Sequence, residues 1–245
     1  VLVSYYSSGK VKVNMLREFK LAQSFEKIGE YKKALDIFRR LYQIEPNNPN
    51  YSGGLERNML NLKMFEELVM HYNERLKKNP SDMNVLGKLG EVYYQWGKSE
   101  KADSVWNSII MKYPTRSYSY SFLANILIRN RLFDRAVEIL LKGRRILHNN
   151  SLFEFNLANL YFWKKEYTKG VKECLKILRR DAKSYSLIEN QILGIFPGED
   201  VSLDEIAQLI KSEIKKDDKN PHLRRLLANL YFKNREYSLA FKEYI

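Results

Sequence analysis

Cysteine occurs once in these 245 residues, at Cys174, so no intramolecular disulfide can form. That leaves the compartment open between cytoplasm and a periplasmic or secreted home, since both hold disulfide-free proteins. Turn residues are also scarce: eleven glycines and six prolines. A sandwich or barrel of many short strands needs more punctuation than that, so long helices joined by short turns are the expected class. The three histidines, His71, His148 and His222, lie far apart and lack metal-ligand spacing. No run approaches the roughly eighteen apolar residues required to span a bilayer. A glycine-rich phosphate loop, HExxH, CxxC and a nucleophile elbow are all absent from the sequence. Hence no catalytic residue, metal or cofactor is expected, and the chain reads as non-enzymatic.

What is present is a period. Pro46, Pro80 and Pro114 are each 34 residues apart, and Leu21, Leu55, Leu89, Leu123 and Leu157 keep the same interval, with Leu227 following 70 residues later. Beside those leucines stand Ala22, Glu56, Gly90, Ala124, Ala158 and Ala228; twelve residues on come Ala34, Leu68, Ala102, Ala136, Gly170 and Ala240. Mostly small residues at two places per period let paired helices approach closely, and large ones fill the space around the contact. The fillers expected on the first helix are Phe25, Met59, Tyr93, Leu127, Tyr161 and Tyr231, and on the second Phe38, Tyr72, Trp106, Leu140, Cys174 and Tyr244. Tyr31, Phe65, Phe133, Tyr167 and Tyr237 open the second helix, with Gly29 and Gly97 in the turn before it.

The stretches LAQSFEKIGEYKKALDIFRRLYQIEPNN and LGEVYYQWGKSEKADSVWNSIIMKYP resemble tetratricopeptide repeats, and the resemblance runs from residue 15 to 245. Pentatricopeptide RNA-binding arrays have a similar period, but a proline closing the second helix and an aromatic opening it favour the tetratricopeptide register. The resemblance implies an all-α, right-handed superhelical solenoid of about seven antiparallel helix pairs that acts as a protein-interaction scaffold or adaptor. In that register residues 1–14 are an N-terminal extension or linker. The units are 15–48, 49–82, 83–116, 117–150, 151–184, an irregular 185–220 and a partial 221–245. The second is degenerate, with Glu56 and Leu68 at small-residue places; in the sixth, Pro197-Gly198-Glu199-Asp200 is expected to lengthen the turn.

The resemblance also implies that first helices line a concave face. Its residues there are Lys20, Lys27, Arg57, Lys88, Arg129, Arg225 and Lys233 against Glu26 and Glu91, seven cations to two anions. Such a groove suits an acidic segment or a terminal carboxylate, unless those side chains only keep an exposed face soluble. Asn125 and Asn156 occupy the places where relatives that grip an extended peptide hydrogen-bond its backbone; Asn159 and Asn229 repeat the first of these. Phe155, Phe162 and Trp163 lie beside them as apolar anchors. The expected partner-binding set is therefore Asn125, Asn156, Asn159, Phe155, Phe162, Trp163, Lys88 and Arg129. The pattern departs from the family's carboxylate clamp: Ser121 stands where a lysine is expected, and Ser186, Leu187 or Ile188 where a basic residue is.

The formal charge of +13 raises nucleic acid as a ligand, but Arg39-Arg40, Lys77-Lys78, Arg144-Arg145 and Arg179-Arg180 all fall near second-helix C-termini. Cations there complement the helix dipole and read as solvated helix ends, which disfavours nucleic acid and leaves a protein or peptide as the expected partner. Cys174 holds a core place, Trp106 likewise, Trp96 lies near a turn, Trp163 is expected to be exposed, and His148 is a helix-end residue. Two rival readings remain. One is a structural subunit packing through its ends and convex face, suggested by 17 Tyr, 12 Phe and no capping helix before Ile245. The other is the repeat portion of a longer enzyme or sensor; the chain opens on Val1 rather than Met, so removal of something upstream is expected.

Overall fold

The computed structural model describes residues 2–195, 202–218 and 220–244, with side chains from residue 14 onward. Val1, Ile245 and the Pro197-Gly198-Glu199-Asp200 segment lie outside those residues. Among the described residues the secondary structure is fourteen α-helices and one short 3-10 turn, Ala182–Ser184, with no strand. No helix among them is long and apolar enough to cross a membrane. The chain divides into two compact units, Val1–Lys112 and Tyr113–Ile245. The first contains α1 (Leu2–Lys27), α2 (Tyr31–Ile44), α3 (Pro49–Asn61), α4 (Phe65–Lys78), α5 (Met83–Gln95) and α6 (Ser99–Lys112). The second contains α7 (Ser117–Arg129), α8 (Phe133–Ile146), α9 (Glu154–Trp163), α10 (Tyr167–Arg180), α11 (Tyr185–Gly194), α12 (Leu203–Ile214), α13 (Pro221–Lys233) and α14 (Tyr237–Tyr244). Residues 2–14, the expected extension, are continuous with α1.

One turn joins the two helices in six of the hairpins, and it has three residues each time. The middle residue is left-handed in every case: Gly29, Lys63, Gly97, Arg131, Lys165 and Arg235, with φ between 56° and 80°. The following N–H reaches back five residues, as from Glu30 to the Phe25 carbonyl (2.9 Å) or Leu132 to Leu127 (2.8 Å). That bond closes the first helix with a Schellman cap. Only two of the six are glycine, although an L-residue in this conformation costs on the order of 1 kcal/mol. The four cations lie where the preceding helix carries its negative end, which offsets part of that cost. Between hairpins, Asn48, Asp82 and Asn220 each accept a backbone N–H at the start of the next helix. Pro49 and Pro221 occupy first-turn positions where no N–H partner is needed.

Packing follows the small-residue places. Ala22, Ala34, Ala102, Ala124, Ala136, Ala158 and Ala228 are wholly buried. In the first unit the core runs from Met15 through Phe38, Leu55 and Tyr72 to Val92; a core of the second runs from Ala158 through Cys174, Ile188 and Ile210 to Ala240. One repeated leucine and one filler depart from the expected pattern. Leu21 is 49% exposed, because no described helix precedes α1 to cover it. Tyr244 is exposed as well, its hydroxyl donating to Asn229 instead of filling a core place.

A close approach lies at α5 against α6. Gly90 faces the Trp106 ring so nearly that an added β-carbon would collide with it, and the Trp106 indole N–H donates to the Gly87 carbonyl at 3.2 Å. The largest filler is thus matched to the smallest contact residue. Gly90→Ala is expected to lower stability by about 1–3 kcal/mol, through overpacking and loss of that hydrogen bond. Urea denaturation followed by tryptophan fluorescence will show it; an unchanged midpoint would mean that the ring shifts at no cost.

Candidate functional site

In the first unit the first-helix face is built from α3 and α5. Residues 53, 56, 57 and 60 share one side of α3 by helical spacing, as 88, 91, 92 and 95 do on α5. The sequence places Glu56 where other hairpins have alanine or glycine. The structure buries that carboxylate and surrounds it with donors. Its Oε1 accepts from Arg75 (2.7 Å) and lies 3.3 Å from the His71 Nε2; its Oε2 accepts from the Lys88 ammonium at 2.6 Å. Burial by itself pushes the acid's pKa up, but His71, Lys88 and Arg75 more than offset that and hold it at about 2. Burial also pushes the neighbouring Tyr72 phenol well above its ordinary range.

With Glu56 and Leu68 in place of small residues, α3 and α4 do not close on each other. They leave a cavity of about 340 Å³ bordered by Glu56, Arg57, Leu60, Leu68, Tyr72, Lys88 and Val92. Arg57, on its rim, forms a two-pronged pair with Glu26 (3.2 and 3.0 Å), which also accepts from Asn58. Neither the buried network nor the cavity was foreseen. The one signal available was that Glu56 and Leu68 both break the small-residue pattern in the same hairpin.

In the second unit, Asn125 on α7 is exposed and Asn156 on α9 half-buried. Among the described residues neither side chain makes a hydrogen bond within the molecule. The two asparagines expected to act with them are engaged: the Asn159 carbonyl accepts from Gln191 at 2.7 Å, and Asn229 contacts Glu189 and Tyr244. Trp163 is 58% exposed, its ring 6.0 Å from Phe133, and Phe155 is exposed. Phe162 is not a free anchor: its ring fills the space that a β-carbon on Gly170 would take, so it serves the contact between α9 and α10.

Four of the seven cations expected in the basic groove have contacts inside the molecule. Arg57 and Lys88 are paired with Glu26 and Glu56, the Lys233 ammonium donates to the Leu193 carbonyl, and Arg225 lies over the Tyr185 ring. Nor are the helix-end cations simply solvated. Arg144 is only 6% exposed and grips Glu173 with two nitrogens (3.0 and 2.5 Å) and the Leu152 carbonyl with a third. Arg39 pairs with Glu67, Arg179 with Glu213 and Arg180 with Glu154. The reason is geometric: a second-helix C-terminus faces acids on neighbouring helices, which periodicity alone does not reveal. Cys174 is buried as expected, and that burial pushes its thiol up to about 12, away from reactive thiolate.

Because folding lowers the Glu56 pKa, its stabilising contribution is complete above the ordinary carboxylate range. It drains away as pH falls from about 4.5 towards 2. Urea midpoints measured across that window are expected to fall steeply for the native chain and less steeply for Glu56→Gln. Parallel curves would show that the network adds nothing to stability.

A family model described as "Tetratricopeptide repeat" matches residues 18–48. Superkiller protein 3 of Schizosaccharomyces pombe (strain 972 / ATCC 24843) is 25% identical over 198 residues, which is 71% of this chain but 14% of that protein. The chain thus spans about a seventh of that relative's length. Among solved structures, the C-terminal part of a TPR repeat-containing protein from Cytophaga hutchinsonii is 16% identical, with 92% of this chain and 93% of that one covered and a TM-score of 0.42. A tetratricopeptide repeat protein from Parabacteroides merdae ATCC 43184 is 13% identical, with 94% and 90% covered and a TM-score of 0.39. MamA from Desulfovibrio magneticus RS-1 is 15% identical, with 69% and 96% covered and a TM-score of 0.37. The family match lies on the first hairpin, residues 18–48, and the same turn and contact places recur through both units, so the chain carries a tetratricopeptide repeat there and resembles that family along its length.

Proposed function

We propose that this chain is a non-catalytic scaffold or adaptor whose first helices receive an extended or helical segment of a partner protein, with Asn125 and Asn156 hydrogen-bonding that segment's backbone. One contrast carries the reading. Asn58, Asn159 and Asn229, all on first helices, spend their amides inside the molecule, whereas Asn125 and Asn156 spend theirs on no described residue. An amide supplies both a donor and an acceptor, which is what an extended backbone requires. Phe155 and Trp163, both exposed on α9, offer apolar surface beside them.

A partner captured from the native source should bind the Asn125→Ala/Asn156→Ala variant about thirty-fold more weakly by calorimetric titration, as two lost hydrogen bonds of about 1 kcal/mol each imply. Unchanged affinity would sink the groove reading. A second reading has its own observation: Phe232, Tyr237, Phe241 and Tyr244 expose large apolar surfaces on α13 and α14, as a subunit packing through that face requires. Under it, light scattering at rising concentration finds a species heavier than 29.1 kDa; a monomer throughout excludes self-assembly through that face.

A further inference from the structure

We propose that the cavity between α3 and α5 is a socket for one bulky apolar side chain of the partner, and that Lys88 and Arg57 hold a carboxylate on the residue next to it. The inference rests on the scaffold reading but uses helices of the first unit, apart from Asn125 and Asn156.

The shape follows from the sequence. Five other hairpins carry alanine or glycine at the place of Glu56, and none but the second pairs a large residue there with another at the place of Leu68. The resulting void has an apolar floor of Leu60, Leu68, Val92 and the Tyr72 ring. Gly53 keeps one wall clear: a β-carbon there would already lie 3.4 Å from the Arg57 guanidinium. A volume of about 340 Å³ is ample for a ring, given that a dry cavity of about 150 Å³ takes up benzene.

The chemistry of the mouth follows from counting donors and acceptors. Glu56 has both oxygens engaged, one of them twice. Each oxygen of Glu26 faces an Arg57 nitrogen, and Glu91 takes part in an interaction of its own. Every carboxylate oxygen of Glu56 and Glu26 therefore already faces a cation. Donors remain: Lys88 uses one of its three N–H groups, and Arg57 uses Nε and one terminal nitrogen, leaving the other without a described partner. Their side chains are 47% and 57% exposed. An incoming cation meets Glu56 and Glu26 already paired with cations, whereas an incoming carboxylate finds two half-satisfied cations beside an apolar hole.

The test uses the full chain, isotope-labelled for amide NMR, titrated with the capped dipeptides N-acetyl-Asp-Phe-amide, N-acetyl-Asn-Phe-amide and N-acetyl-Lys-Phe-amide. The expected result is saturable shifts confined to residues 53–60, 68–72 and 88–95 at millimolar concentration, with the Asp peptide binding at least about three-fold tighter than the Asn peptide and the Lys peptide weakest. Leu60→Trp, which fills the hole, should abolish all three. Lys88→Gln should erase the preference for Asp over Asn while Asn-peptide binding survives. If Lys88→Gln unfolds by circular dichroism, Arg57→Gln takes its place. No saturable shift in these segments up to about 20 mM, or Lys and Asp peptides binding alike, overturns the socket. If a captured partner perturbs residues 120–160 and leaves 53–95 unmoved, the socket fails and the scaffold reading stands. If the Asp peptide saturates the socket while the Asn125→Ala/Asn156→Ala variant keeps full partner affinity, the asparagine groove fails and the socket stands.

Discussion

How near two helices of a hairpin can come is decided by one residue on each, and most of this structure depends on that distance. Where both places are small, the axes close and a large side chain from the neighbouring turn seals the gap. Gly90 with Trp106 is the extreme case, and Gly54 against the Phe38 ring of the preceding hairpin shows the same economy between repeats. The 34-residue period is the sequence trace of that contact. The left-handed turn residue belongs to it as well, because a three-residue link can reverse the chain over so short a distance only if one residue adopts positive φ.

The second hairpin shows what happens when the contact is given up. A glutamate in place of alanine cannot be packed dry, since an unpaired buried carboxylate is costly. The chain answers with Arg75, His71 and Lys88, drawn from α4 and α5, so that three helices are tied through one carboxylate. The glutamate, arginine and lysine side chains that make these ties reach further than a methyl group, and the helices stand apart accordingly. A void and a strongly acidic carboxyl in the same hairpin are thus two results of one substitution. In the second unit Arg144 and Glu173 make a comparable buried pair, but there the small places, Ala158 and Gly170, are kept and the ion pair adds to close packing instead of replacing it.

Much of this was legible because it is periodic. The second-helix openings at Tyr31, Phe65, Phe133, Tyr167 and Tyr237 fall on the residues expected, and the core places of Cys174 and Trp106 follow from register. Four of the six left-handed turn residues were illegible, since Lys63, Arg131, Lys165 and Arg235 lack the glycine that marks such a position. The polar sites were harder still. Asn125 and Asn159 occupy the same place in successive repeats, yet only Asn159 meets a Gln191 on a later helix. Phe162 looked like surface and is packing, because Gly170 stands opposite. A repeat pattern tells which side of a helix a residue occupies, not which side chain waits across from it.

That distinction also bears on charge. With 42 basic residues to 29 acidic ones, a simple count describes a cationic surface. The structure instead shares carboxylates between cations: Glu56 between Arg75 and Lys88, Glu173 between Arg144 and Lys176, Glu213 between Arg179 and Lys216, Glu166 between Lys164 and Lys169. Each shared carboxylate offsets one of two positive charges and leaves N–H groups on both cations unsatisfied, because an ammonium carries three donors and a guanidinium five. The excess of +13 remains, and part of it takes the form of unspent donors held in fixed positions. Such donors discriminate at short range: they reward a partner whose acceptors arrive in register, while salt screens the longer-range field. For a scaffold of repeated hairpins, recognition then comes down to which donors and acceptors the fold leaves unused.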